Sequence, residues 1–317
     1  MRESLSLFLY NRTVMRKKSI VILASALILA GCSRVALTGR KQLLLVSDSE
    51  IMSLSNSSFQ DYMKTAKPSR NAAQTAMVVR VGKRIANAVE TYLRANGLEQ
   101  EIQHFAWEFH LVQDSEPNAF CMPGGKIVVN EGILPYTQTE EGLAIVLGHE
   151  VGHAVAKHSA ERISQQMVAS YGGQLLSGLL SNKSAETQML AQQVYGLGAQ
   201  YGVMLPYSRK NESEADHLGL IFAAMAGYNP EAAVSFWQRM SASGAQKVPE
   251  FMSTHPSDAT RISQLQKLMP EAMKYYKPAS SQGRTTNSTS VKNAKQHQSV
   301  APSGSKVPYR FEPVNKR

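Results

Sequence analysis

Two cysteines in 317 residues leave little scope for disulfide chemistry. If Cys32 is modified, as argued below, only Cys121 remains, and the fold must rest on a packed core. A lone thiol in the apolar stretch around Cys121 reads as a small buried hydrophobe rather than a nucleophile. Charged residues are also sparse, at 18%, and no apolar run reaches the roughly 18–20 residues of a membrane span. No internal repeat is present, which excludes a solenoid. No basic helix interleaved with aromatics appears either. The net charge of +10 sits largely at the two ends, in Arg16, Lys17 and Lys18 and beyond Lys277, so nucleic acid is not an expected partner. What the chain does have is 43% hydrophobic residues, enough for one large domain or two small ones.

The N-terminus reads as an export signal. Arg16 to Lys18 form a positive region, followed by the short apolar run Ile20 to Ala30. Met15 just before the basic cluster is an alternative start. The run closes with Leu29-Ala30-Gly31-Cys32, which resembles a bacterial lipobox; that resemblance implies cleavage before Cys32 and a lipid on it. Ser33 in the next position would sort such a lipoprotein to the outer membrane, facing the periplasm. Residues 1–31 are thus expected as signal peptide, 32–48 as tether, 49–277 as the folded domain and 278–317 as a disordered basic tail rich in Ser, Thr, Lys and Gln.

Within the domain, Val78, Val81, Ile85 and Val89 recur at helical spacing. Trp107, Phe109 and Leu111, and later Ile127 to Val129, read as strands, separated by Pro117-Asn118 and Pro123-Gly124-Gly125. A long helix is expected from Thr137, at capping-box spacing from Glu140, to about Val168. Residues 172–205 are rich in Gly, Leu and Gln, and read either as a mobile lid or as helices packed through small residues. A further helix is expected over 211–226, ending at Gly227.

The chemistry concentrates in His149-Glu150-Val151-Gly152-His153. At about 100° per residue the two histidines sit one turn apart on one helix face, where both imidazoles reach one zinc ion. Glu150 points to the side, placed to take a proton from the attacking water. Gly142, Ala156 and Ala160 leave that face open for a second helix, while Leu143, Leu147 and Val151 anchor the other side. A metzincin would need glycine and histidine where Ala156 and Ser159 stand, so that class is excluded. His158 falls away from the metal face of a straight helix and reads as structural. A gluzincin takes its third ligand from a later helix. Glu212 and Asp216, one turn apart, offer a ligand and a residue that hydrogen-bonds a ligand imidazole. The plain alternative is an acidic solvated face, the reading given to Glu214.

Together, His149 to His153, Asn211 to Asp216, Asn118-Ala119-Phe120 and Pro123 to Ile127 resemble family forty-eight of the zinc metallopeptidases over about residues 36–275. The resemblance implies an α+β, mostly helical gluzincin with a small sheet and one zinc per chain. It implies Glu212 as third ligand, and a substrate cleft lined by an edge strand at 118–130, with Asn118, Gly124, Gly125 and Ile127 binding substrate. It also matches Thr254-His255-Pro256 and Arg261 to a motif whose histidine reaches the active site. His255 is then an oxyanion donor, a latch on the metal's open position or a plain loop residue. The expected function is endopeptidase action on misfolded or unassembled envelope proteins. The alternatives are a chaperone-like assembly lipoprotein with a latched or vestigial zinc site, and a zinc hydrolase acting on cell-wall crosslinks.

Overall fold

A computed structural model of the chain describes residues 32–278, except 36, 201–203, 243–250, 253–254 and 256–258. The leader and nearly all of the basic tail lie outside the described residues, as do Thr254 and Pro256. Cys32 opens a two-stranded antiparallel ribbon of β1 (Cys32–Arg34) and β2 (Lys41–Leu43). Between the strands, Val35 and Leu37 are buried in the main core. The expected tether is therefore folded onto the domain. Its two apolar side chains give it surface to bury, and Arg40 is held by two carboxylates, described below.

Next come α1 (Asp48–Thr65), capped by Ser47 and Glu50, and α2 (Ala72–Ala95), which buries the predicted stripe of Val78, Val81, Ile85 and Val89. A short α3 (Glu99–Ile102) leads into a three-stranded sheet of β3 (Glu108–Val112), β4 (Ala119–Met122) and β5 (Lys126–Asn130). The order is β3-β5-β4, with β3 parallel and β4 antiparallel to β5. The edge strand beside the site is thus β4, while β5 is central and wholly buried, correcting the expectation for 126–130. Its unbroken Ile127-Val128-Val129 run suits a strand covered on both faces.

After α4 (Leu134–Thr137), the helix α5 (Glu140–Val155) is capped by Thr139, which accepts from Gly142 N. Thr137, the expected cap, instead bonds the Leu134 carbonyl. α5 is the buried axis of the fold, flanked by α2, β4 and α8 (Leu205–Met225). Glycines let α5 and α8 touch: a Cβ on Gly148 would lie 2.6 Å from Gly219 O, and one on Gly152 2.9 Å from Ala215 O. The expected helix to Val168 is broken, because Lys157 adopts φ 57°, and the chain restarts as α6 (His158–Leu179). α6 and α7 (Ala185–Ala199) form a hairpin, with Tyr195 Oη donating to Ala169 O. A Cβ on Gly172 would collide with that tyrosine, so this glycine serves the packing of the two helices. α9 (Ala232–Ala242) and α10 (Ala259–Tyr275) close the far side. The protein is α+β, mostly helical with small sheets. Among the described residues no helix is long and apolar enough to cross a membrane.

Candidate active site

α5 presents His149 and His153 one turn apart, and the glycine contact lets α8 bring Glu212 beside them. His149 Nε2 lies 3.1 Å from His153 Nε2, and each is 3.3 Å from a Glu212 oxygen. A tetrahedral zinc with nitrogen and oxygen ligands at about 2.0–2.1 Å has ligand–ligand edges of roughly 3.4 Å. The two ring nitrogens are about one such edge apart and the Glu212 carboxylate turns one oxygen to each, so the cluster fits zinc.

The hydrogen bonds assign the imidazole tautomers. His149 Nδ1–H donates to Asp216 Oδ1 at 2.9 Å, leaving its Nε2 lone pair for the site. Asp216 is in turn clamped by Arg261, at 2.7 and 2.9 Å, whose guanidinium stacks 3.6 Å from the Trp237 ring centroid. His153 Nδ1–H donates to His158 Nδ1 at 2.8 Å, and His158 Nε2–H donates to Glu214 at 3.0 Å. The break at Lys157 is what swings His158 round to this position. Glu214 is buried, not solvated as expected: Thr38 and Arg40 of the N-terminal ribbon donate to it, and Arg40 also pairs with buried Glu161 at 2.8 Å. Sequence reasoning missed His158, Glu214 and Arg40. No local pattern announces that residues 37–40 cover Glu214.

Charge follows this wiring. Burial alone would lower the His149 pKa, but Asp216 and Glu212 outweigh it and push it up to about 9. Burial pushes His153 well below its ordinary value. Burial alone would raise Glu212, yet bonds from His149, His153 and His255 hold it far below the carboxylate range. Glu150 is raised by burial, partly offset by His255 and His149. Its Oε1 is buried with no hydrogen-bond partner among the described residues, 3.3 Å from His255 Nε2. His255 joins the cluster itself: its Nδ1 lies 3.1 Å from His149 Nε2 and 3.1 Å from Glu212. Arg261 fixes the His255 carbonyl at 3.2 Å.

The cluster lies in a cleft of about 1150 Å³, walled by β4 on one side and the α6–α7 hairpin on the other. Of the expected substrate-binding residues only Asn118 lines it. Gly124 and Gly125, at φ 90° and 83°, turn the chain between β4 and β5 against Met52 and Trp107, and Ile127 is core. Gly and Ile there answer the demands of a tight turn and a central strand.

Residues 75–269 match the model of peptidase family M48. The chain belongs to that family of zinc metallopeptidases. The chain is 42% identical over 168 residues to mitochondrial metalloendopeptidase OMA1 of Schizosaccharomyces pombe, covering 52% of this chain and 48% of the relative. It is 31% identical over 244 residues to human OMA1, covering 75% and 46%. A third relative, the β-barrel assembly-enhancing protease of Escherichia coli, is 30% identical over 161 residues, covering 49% and 33%. The chain spans about half the length of the first two. These relatives overturn the expected outer-membrane, periplasm-facing placement, since those matching at 42% and 31% are mitochondrial by name. A basic cluster with a short apolar run is shared by leaders to several compartments, so it does not fix one.

Proposed function

We propose that this M48 protein is a metalloendopeptidase in which His149, His153 and Glu212 hold zinc and Glu150 is the general base. The observation that carries this is the convergence of two ring nitrogens and the Glu212 carboxylate at 3.1–3.3 Å beside buried Glu150, whose Oε1 accepts no hydrogen bond among the described residues. Bound there, zinc would supply Lewis acidity, lowering the pKa of water and polarising the scissile carbonyl. Asp216 and His158 keep the ring nitrogens of His149 and His153 in the required tautomers. Glu150 Oε1 takes the proton of the attacking water and returns it to the leaving amine; its raised pKa brings it nearer the working pH. The exposed edge of β4 receives an extended substrate by main-chain hydrogen bonds.

His255 acts as a resting latch in this reading, because its Nδ1 sits within the donor set rather than where a carbonyl oxygen would be met. A His255→Ala variant with raised turnover supports the latch, whereas one with lowered turnover and intact zinc assigns it the oxyanion role. Unfolded segments of misfolded or unassembled proteins are the substrate class. The open cleft carries Gln165 and Gln174, whose amides suit the peptide groups of an extended chain. The printed name of the Escherichia coli relative, which refers to assembly, points the same way.

The test is cleavage of an unfolded model protein by the full chain, with and without chelator, beside Glu150→Gln of verified zinc content. Cleavage by wild type alone, abolished by chelator, is expected. Zinc bound by both with neither cutting, even after His255→Ala, would favour the assembly-factor alternative.

A further inference from the structure

The α6–α7 hairpin has two unlike faces. Gln165, Ser170 and Gln174 of α6 and Gln192 and Tyr195 of α7 line the cleft. On the far side, Tyr171, Leu175 and Leu179 of α6 and Leu190, Val194 and Leu197 of α7 are 49–72% exposed. Eight of the eleven large apolar side chains exposed among the described residues lie on this hairpin, so the patch is a property of the element. Single exposed leucines are ordinary; an apolar stripe along two adjacent helices, opposite a polar one, is not.

Charge distribution selects the occupant. Between Ile163 and Ser208 the sequence holds only two charged residues, Lys183 and Glu186, and both sit at the hairpin tip with Ser181, Asn182 and Ser184. An interface with another protein usually carries a polar, charged rim around its core; along the sides of these helices no charge is available for one. The polar tip is equally unsuited to plunging into hydrocarbon, so the hairpin would lie on its side. The β1–β2 ribbon abuts the base of α6: Leu45 N donates to Ser164 Oγ at 2.8 Å, and Leu43 and Val168 share an apolar pocket of about 410 Å³. That ribbon exposes Arg34 and Lys41, cations suited to anionic headgroups. In sequence it directly follows the apolar run Ile20 to Ala30.

We propose that the outer face of the α6–α7 hairpin docks on a lipid bilayer, its leucines and valine sunk to the headgroup–acyl boundary, with the cleft held above the membrane surface. The proposal stands apart from the proteolytic reading. It places the mouth of the cleft where a polypeptide segment leaving the bilayer would pass.

The experiment uses the full chain in a Cys32→Ser, Cys121→Ser background, which also removes any acyl chain. A single cysteine is placed at Leu179, Val194 or Ser170 and labelled with an environment-sensitive NBD dye. Phosphatidylcholine–phosphatidylglycerol vesicles should blue-shift and brighten the probes at 179 and 194 severalfold and leave the cleft-side probe at 170 unchanged. No response at 179 and 194, or an equal response at 170, overturns the proposal. A shift that grows with protein concentration without vesicles overturns it too, in favour of a second copy covering the face. As a second arm, Leu175→Gln/Leu179→Gln/Val194→Gln, shown by circular dichroism to be folded, should lose vesicle flotation in the same background. Flotation equal to that of the parent overturns it as well.

Discussion

Gly219→Ala is expected to separate the two helices that carry the zinc ligands. Its Cβ would lie 2.7 Å from His149 N and 2.8 Å from Gly148 C, both backbone atoms that cannot rotate away. Ordinary contact begins at 3.4 Å, so α5 and α8 must part by about 0.7 Å there. Glu212 lies two turns away on the same face of α8 and Asp216 one turn away, so the displacement carries both past His149 and His153. Metal sites tolerate deviations of only about 0.2 Å in ligand distance. Overpacking of this kind costs about 1–3 kcal/mol. A tenfold loss of zinc affinity would remove about 1.4 kcal/mol more from the loaded protein. The readouts are the urea midpoint of chelator-stripped protein and zinc affinity by competition with a chromophoric chelator. Gly178→Ala is the control, since nothing lies within 4 Å of the added methyl, and it should lose neither. A Gly219→Ala protein matching wild type in both measurements would refute the view that the glycine contact sets the ligand spacing.

Glu214→Gln or His158→Phe should weaken zinc binding by about 10–100-fold with the fold retained, measured by the same competition. Acid should destabilise the chelator-stripped protein in a definite window. Burial alone would raise Glu214 and Asp216, but His158 and Arg261 with their neighbours hold both below their ordinary values of 4.5 and 3.8. The stability they contribute is therefore full above those values and lost as pH falls through the lower folded ones. Urea midpoints should drop below pH about 4, and Asp216→Asn should flatten part of that drop. Burial pushes the Cys121 thiol well above its ordinary value, so iodoacetamide at pH 8 should modify it far more slowly in the folded chain than after unfolding in urea, as read by mass spectrometry.

Most of the metal cluster was legible because it obeys helix periodicity: His149 and His153, and Glu212 and Asp216, are pairs one turn apart. The break after Val155 was not, since Ala156-Lys157 contains neither glycine nor proline. Lys157 is held in its left-handed conformation by tertiary contacts, its Nζ 3.0 Å from Asp48 and 3.1 Å from Glu101. With a straight helix assumed, His158 pointed away from the metal face, and Glu214 lost its partner in consequence. The order of the sheet escaped for a different reason. Turn residues at 123–125 announce a hairpin, but only the unbroken apolar run at 127–129 marks β5 as central. Its neighbour β3 pairs in parallel across a long stretch of sequence, which no local signal records.

A practical consequence attaches to the ribbon at the N-terminus. A catalytic fragment trimmed to begin at Ser49, as a leader-tether-domain division invites, would keep every expected ligand yet discard Val35, Leu37, Thr38 and Arg40. Glu161 and Glu214 would then be left as neighbouring buried acids without their shared cation. Such a fragment should express poorly and shed zinc. Shortened forms for crystallisation or inhibitor screening should therefore begin before Val35, and a protease nick between Leu43 and Ser47 would work as an off-switch at a distance from the catalytic glutamate.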